Sequence, residues 1–250
     1  MTAPAGSTTV DALFDGRLAL EQPHGADRVA IDAVFLAAAV PALGGERVLD
    51  FGTGVGSAAL CLAFRVPDCR VVGIDRRADV IALARANAAR AGLAGRVSFE
   101  PGDIAALATG APFDHVMANP PYFRAGRGRV SPDPARAAAR TEAGATLADW
   151  IAAALAAVRV GGSITFIHLA ERLDELLEGL GRGAGSIAVL PLIPKPGVAA
   201  RRVIVRAVKG AAGGTAIALS FVLHEADGRY TAAADAVLRG AAPVALGETR

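Results

Sequence analysis

Val48-Leu-Asp-Phe-Gly-Thr-Gly-Val-Gly56 joins a short apolar run, closed by an acid, to three glycines spaced two apart. Ser57-Ala-Ala-Leu-Cys-Leu-Ala-Phe64 follows, with good helix formers and apolar residues at helical spacing. The pattern is that of strand, tight turn and helix. Glycines suit such a turn because they tolerate positive φ and let a ligand approach the bare backbone. Nineteen residues past Gly56, a second apolar run, Val71-Val-Gly-Ile-Asp75, ends in another acid. At that offset a Rossmann-type sheet grips a ribose.

Glycine turns also occur as plain structural loops. Asp50 just before the turn, and the second strand with its terminal Asp75, argue for a ligand. The spacing departs from the dinucleotide fingerprint G-x-G-x-x-G, because Ser57 is followed by alanines and no third glycine falls at the required offset. D-x-G-x-G-x-G instead resembles the first motif of class I S-adenosylmethionine methyltransferases.

A chain of 250 residues can bury a substantial core, and one domain over 15–245 is expected, with 1–14 disordered. Net charge is only +2, so no global field announces nucleic acid. Arginine outnumbers lysine 24 to 2, and only its clustering is therefore informative. Cys61 and Cys69 have no companions at metal-ligand spacing and read as buried thiols of a reducing compartment. No signal sequence opens the chain and no apolar span reaches membrane length, which points to a cytoplasmic protein without a membrane or metal partner.

The segment from Val10 to Leu20 reads as a short helix or strand, and Gln22-Pro-His-Gly25 as a turn. A helix is expected over 31–40 and stops at Pro41 and the Gly44-Gly45 pair. Beyond Asp50 strands and helices alternate: a helix over 78–91 closed by Gly92, strands at 97–100 and 115–118, a Gly-, Pro- and Arg-rich loop over 123–139, a helix over 147–158 stopped by Gly161-Gly162, a strand over 163–168 and a charged helix over 171–180. Three β-rich runs at 187–192, 203–208 and 217–223 have short connections and imply antiparallel pairing, before a last helix over 230–239. The fold class is α/β: a doubly wound, Rossmann-like, seven-stranded sheet with antiparallel C-terminal strands.

Asn119-Pro120-Pro121-Tyr122 follows the fourth strand. A Pro-Pro loop with a packed tyrosine is the plain account, but its position downstream of the glycine turn suggests chemistry. The lone pair of an exocyclic adenine amine or an amide nitrogen is delocalised, so the nitrogen is a poor nucleophile. Acceptors on its two N–H groups push it toward tetrahedral geometry and aim the lone pair. The Asn119 side-chain oxygen and the Pro120 carbonyl are suited to this, since proline restricts its own φ and its neighbour. Fixed acceptors act by orientation and electrostatics together. Tyr122 supplies a flat face for a planar substrate.

Together the glycine turn, Asp75, Gly102-Asp103-Ile104 and Asn119-Pro-Pro-Tyr122 look like the N-methyltransferases of planar or amide nitrogens. Gln22-Pro-His-Gly25, Ile31-Asp-Ala-Val-Phe-Leu-Ala37, Ala199-Ala-Arg-Arg-Val-Ile-Val205 and Leu223-His-Glu-Ala-Asp-Gly-Arg-Tyr-Thr231 narrow this. Over roughly 15–240 the chain is similar to the bacterial tRNA1(Val) adenine-N6 methyltransferase family. The resemblance implies S-adenosylmethionine as methyl donor and tRNA as substrate. It places Asp50, Gly52, Thr53, Gly54 and Gly56 at the methionine end of the cofactor, Asp75 on the ribose, Asp103 and Ile104 on the adenine, and Asp32 and Asn119 close by. Ala26-Asp-Arg-Val-Ala30 departs from the family's Gly-aromatic-Arg pattern.

Arg124, Arg127, Arg129, Arg136 and Arg140 follow the tetrapeptide, opposed only by Asp133, and suit phosphate contacts as well as a solvated loop. Lys195 to Arg202 and Arg206 form a second basic stretch. His24, His115, His168 and His224 are scattered and read as satisfied histidines, and Trp150 as core. Related chemistries that could use the same tetrapeptide are guanine-N2 methylation of rRNA and methylation of a protein glutamine. Outside methyl transfer stand a nucleotide-dependent oxidoreductase and a non-catalytic RNA-binding module. Monomer and homodimer are both compatible with the sequence.

Overall fold

A computed structural model describes residues 8–23, 31–104, 112–123 and 144–247. The first described element is a hairpin of β1 (Thr8–Leu13) and β2 (Leu18–Pro23), paired in antiparallel register. Leu18, Leu20 and Gln22 are buried while their neighbours are half-buried, and this period of two makes β2 a strand and not a helix. β1 starts at Thr8, inside the stretch whose composition suggests disorder. Cross-strand pairing supplies order that small polar residues alone do not.

The chain then runs through α1 (Ile31–Ala39), β3 (Arg47–Phe51), α2 (Ser57–Arg65), β4 (Arg70–Asp75), α3 (Ala78–Arg90), β5 (Val97–Pro101) and β6 (Phe113–Ala118). After it come α4 (Leu147–Ala157), β7 (Val158–Leu169), a 3-10 turn (Ala170–Arg172), α5 (Leu173–Leu180), β8 (Ala184–Ile193), β9 (Arg202–Lys209), β10 (Thr215–Ile217), β11 (Phe221–Val222) and α6 (Ala232–Leu238). The main sheet has the order β10-β8-β9-β7-β6-β3-β4-β5, with β11 also on β8. Strands β3 to β7 are mutually parallel, and β9 runs antiparallel to both β7 and β8. Strands β3 to β9 are the expected seven-stranded sheet with its antiparallel ending.

Two local expectations are corrected. The run over 217–223 does not pair antiparallel; β10 and β11 lie parallel to β8 on its outer edge. A short return from β9 that passes over to the far side of β8 must share the direction of β8. Nor does Gly161-Gly162 stop a helix. α4 ends at Ala157, and Val158 already has the extended ψ of 144° that opens β7. The glycine pair lies inside β7, where the register with β6 slips, and a Cβ on Gly162 would overlap the Asp114 carbonyl. At its other end α4 is fixed by a capping box in which Thr146 and Asp149 satisfy each other's backbone N–H groups.

Alternation along the strands feeds two cores. Val48, Val71 and Met117 point to the face covered by α1, α2 and α3. Leu49, Phe51, Ile74, Val116 and Ala118 point to the face covered by α4 and α5. On the first face the buried Phe99 ring lies across Gly73 and Gly56, where a Cβ on either residue would stand about 2.5–2.6 Å from ring carbons. Gly73 has no unusual φ, so its requirement is one of space alone. Gly73→Ala should therefore cost about 1–3 kcal/mol by overpacking. Phe99→Leu in the same background should recover part of that loss, both read from urea unfolding midpoints.

Candidate active site

Three chain segments leave three adjacent parallel strands at one level. Phe51 of β3 is in register with Ile74 of β4 and with Ala118 of β6. One residue further along, Gly52, Asp75 and Asn119 therefore stand side by side at the carboxyl ends of the strands. β3 is also where the strand order reverses, with β4 on one side and β6 on the other. Open α/β sheets bind ligands at such a point.

The turn 52–56 is built from glycines that serve different ends. Gly52, Gly54 and Gly56 have φ of 64°, 56° and 87°. A Cβ on Gly52 would collide with the Trp150 indole, and one on Gly56 with Phe99, so the two are packed from opposite faces of the sheet. A Cβ on Gly54 would meet nothing within 4 Å, and its side of the turn is open. Asp50 under the turn accepts from the Thr53 hydroxyl at 2.6 Å and from the Ala59 backbone. Burial raises its pKa to about 7 in spite of those donors. Asp75 accepts from the Gly54 N–H at 3.0 Å and the Arg77 N–H at 2.9 Å, one on each oxygen. Among the described residues each oxygen keeps a second acceptor position, the pattern a pair of vicinal hydroxyls requires.

Asn119 and Tyr122 differ in how they are held. The Asn119 side-chain oxygen is buried and has no hydrogen-bond partner among the described residues. Such an atom carries a desolvation cost unless something is brought to it. Tyr122 is tethered on several sides. Its hydroxyl donates to Asp32 Oδ2 at 2.6 Å, the Arg202 guanidinium lies 4.5 Å from its ring centroid, and His168 meets the ring at right angles, 5.5 Å between centroids. The Tyr122 carbonyl accepts a long bond from Arg172 Nη1 at 3.4 Å. Burial, then the Asp32 charge, pushes the phenol pKa up, so the hydroxyl stays a donor. Burial, with Arg172 beside it, lowers His168 to about 4, which leaves that imidazole neutral at physiological pH.

The expected cofactor and catalytic residues thus converge, with qualifications. Asp103 and Ile104 follow β5, whose Pro101 is in register with Asp75, and the Gly102 N–H donates to the Asp75 carbonyl. Asp32, expected beside the cofactor, accepts from both Tyr122 and Arg202 on its Oδ2. Arg124, Arg127, Arg129, Arg136 and Arg140 lie outside the described residues, as does His24. Arg206 stands four residues into β9, away from the strand ends. Three contributors have no site role in the reading of the sequence, where His168 counts as a satisfied histidine. Fully buried Asn87 of α3 donates to the carbonyls of Glu21 and Val55 and accepts from the Glu21 N–H, tying the hairpin to the glycine turn. His168 and Arg172 brace the tetrapeptide from β7 and the 3-10 turn. Their pairing across more than 40 residues leaves no local signature.

Comparison with known proteins gives the family and the fold. A family described as methyltransferase domain matches residues 43–149. The tRNA1(Val) (adenine(37)-N6)-methyltransferase of Aeromonas hydrophila is 32% identical over 206 residues, 82% of this chain and 85% of that protein. The chain belongs to this methyltransferase family. The release factor glutamine methyltransferase of Deinococcus radiodurans is 37% identical over a shorter stretch, 56% of this chain and 51% of that one. Among solved structures, a predicted O-methyltransferase from Agrobacterium tumefaciens superposes with a TM-score of 0.72 at 25% identity, covering 85% of this chain and 98% of the other. As a member of the family the chain is an S-adenosylmethionine-dependent methyltransferase.

The residues present fit that cofactor. The open side of Gly54 admits a ligand against bare backbone, and Asp75 offers two acceptors to hydroxyls. Among the described residues no helix is long and apolar enough to cross a membrane, and no group of three acidic, histidine or cysteine side chains could hold a metal.

Two outcomes follow from the carboxylates. Asp75→Asn keeps the size but turns one acceptor into a donor, and should weaken S-adenosylmethionine binding by about 1–3 kcal/mol in titration calorimetry. Asp50 contributes a pH dependence with a definite sign. Its carboxyl is protonated in both folded and unfolded chains below its ordinary pKa of 3.8 and costs nothing there. Between 3.8 and about 7 only the unfolded chain ionises, so stability falls as pH rises. Asp50→Asn should remove this slope, so the variant should gain on the parent in urea midpoints measured from about pH 4 to about pH 8.

Proposed function

We propose that the protein methylates the exocyclic N6 of an adenosine in tRNA, an anticodon-loop adenosine of the tRNA1(Val) type. The observation that carries the reading is the buried, unpartnered side-chain oxygen of Asn119, one residue beyond β6 and level with Gly52. An acceptor left bare at that place is matched by an N–H of the target amine. S-adenosylmethionine, when bound, supplies a methyl group on an electron-poor sulfur. The chain's own part is to hold the nitrogen and turn its lone pair.

A base in an RNA loop must swing out of its stack to reach the strand ends. Tyr122 then offers a ring for it to rest on, and the Asn119 side-chain oxygen and the Pro120 carbonyl accept hydrogen bonds from its two amine N–H groups. Neutral His168 and buried Asp50 need not act as bases, because the methylated ammonium is a far stronger acid than the neutral amine and releases its proton readily to water. Arg124, Arg127, Arg129 and Arg136 follow the tetrapeptide in sequence, and phosphate contact is the role assigned to them. The reading supplies the protein with a tRNA partner and a place in the cytoplasm.

The test is methylation of unmodified tRNA followed by mass spectrometry of its nucleosides. N6-methyladenosine should appear with the parent. Asn119→Ala should cut kcat by about 10²-fold, on the scale of a lost transition-state hydrogen bond, with tRNA binding nearly intact. Methyl transfer to guanine N2, or to a glutamine amide in place of RNA, would refute the assignment.

A further inference from the structure

Asp32, Tyr122 and Arg202 come from α1, the segment after β6 and the first residue of β9, and they meet in one contact set. Asp32 Oδ2 accepts from the Tyr122 hydroxyl at 2.6 Å and from Arg202 Nε at 3.0 Å. The guanidinium that pairs with Asp32 is the one that covers the Tyr122 ring, 4.5 Å from its centroid. The Asp32 side chain is 9% exposed and that of Arg202 is 31% exposed, so the pair is formed largely out of water.

We propose that Asp32 and Arg202 are positioning residues that act through Tyr122, locking its ring as a one-sided platform for the target base. The proposal rests on the function proposed above. A free tyrosine ring can swing about two side-chain torsions, and ordering it costs free energy when the base arrives. Here that ordering is already complete. Asp32 holds the hydroxyl, Arg202 closes one face, and Arg172 holds the carbonyl of the same residue. A stacking surface fixed in advance binds its partner more tightly than one that must be ordered on binding.

Two further features agree. The Asp32 and Arg202 charges cancel locally, so the covered ring carries no strong field toward an uncharged base. Arg202 also restricts a stacked base to the opposite face, which gives the site a single approach. A cofactor contact through Asp32 Oδ2 is less economical, because that oxygen already accepts two hydrogen bonds.

The experiment is a double-mutant cycle on Asp32→Ala and Tyr122→Phe, read as kcat and KM for tRNA with S-adenosylmethionine affinity by calorimetry. Each single change should raise KM for tRNA by about 3–10-fold, and the double variant should be no worse than Asp32→Ala alone, because both remove one coupling. S-adenosylmethionine affinity should stay within about twofold. Arg202→Ala should raise KM likewise, and Arg202→Lys, which keeps a cation over the ring, should recover part of it. Asp32→Asn, of equal size, replaces Asp32→Ala if that variant does not fold.

Multiplying effects of Asp32 and Tyr122, or unchanged KM in all variants, would overturn the proposal. A fall in S-adenosylmethionine affinity on losing Asp32 would overturn it too, and would return Asp32 to the cofactor. If the parent methylates a glutamine amide and not RNA, the function assigned above fails. The same cycle run on that amide substrate then still decides whether Asp32 acts through Tyr122.

Discussion

The parallel register of β4, β3 and β6 is the constraint from which the site follows. Because Phe51, Ile74 and Ala118 share a row, the next residue of each strand emerges at the same height. Gly52, Asp75 and Asn119 are distant in sequence, yet they need no loop flexibility to meet. A slip of one residue in either pairing would turn the Val48 and Leu49 side chains to the wrong cores and move Asn119 away from the turn. The alternation that fills the two cores thereby sets the geometry of the chemistry.

Two buried carboxylates near the turn show how environment divides their work. Asp32 has a cation at 3.0 Å and a phenol at 2.6 Å, and its charge is compensated. Among the described residues Asp50 has a hydroxyl and a backbone N–H as donors and no cation, the Asp75 charge nearby opposes its ionisation, and burial raises its pKa to about 7. Pairing suits a group that must hold another side chain in place. The half-compensated group closes the glycine turn, where a cationic ligand would relieve the cost of its charge.

Much of this was legible in the sequence because it is local. The D-x-G-x-G-x-G turn and Asn119-Pro-Pro-Tyr122 each carry their meaning within ten residues, Asp75 carries its own by a fixed offset from the turn, and alternating strands and helices point to the doubly wound sheet. What escaped depends on long-range packing. No periodicity says that Arg202 of β9 will lie on Tyr122, or that Asn87 will reach the Val55 carbonyl. β10 and β11 have too few residues to state a direction, and their parallel alignment is set by which edge of β8 they reach. Gly161-Gly162 has the composition of a helix stop, but the adjacent Asp114 carbonyl, supplied by another strand, decides that it is a bulge.

The antiparallel end of the sheet is therefore more than a lid on a hydrophobic edge. Pairing β9 antiparallel to β7 sets Arg202 opposite Leu169, just before the 3-10 turn that carries Arg172. The start of β9 and the end of β7 must then lie at the same pole as the ends of β3 and β6. A parallel β9 would carry its first residue to the far pole, and Tyr122 would lose the guanidinium on its ring. The reversal of direction late in the chain gives the tetrapeptide after β6 a wall made of residues some 50 to 80 positions downstream of it.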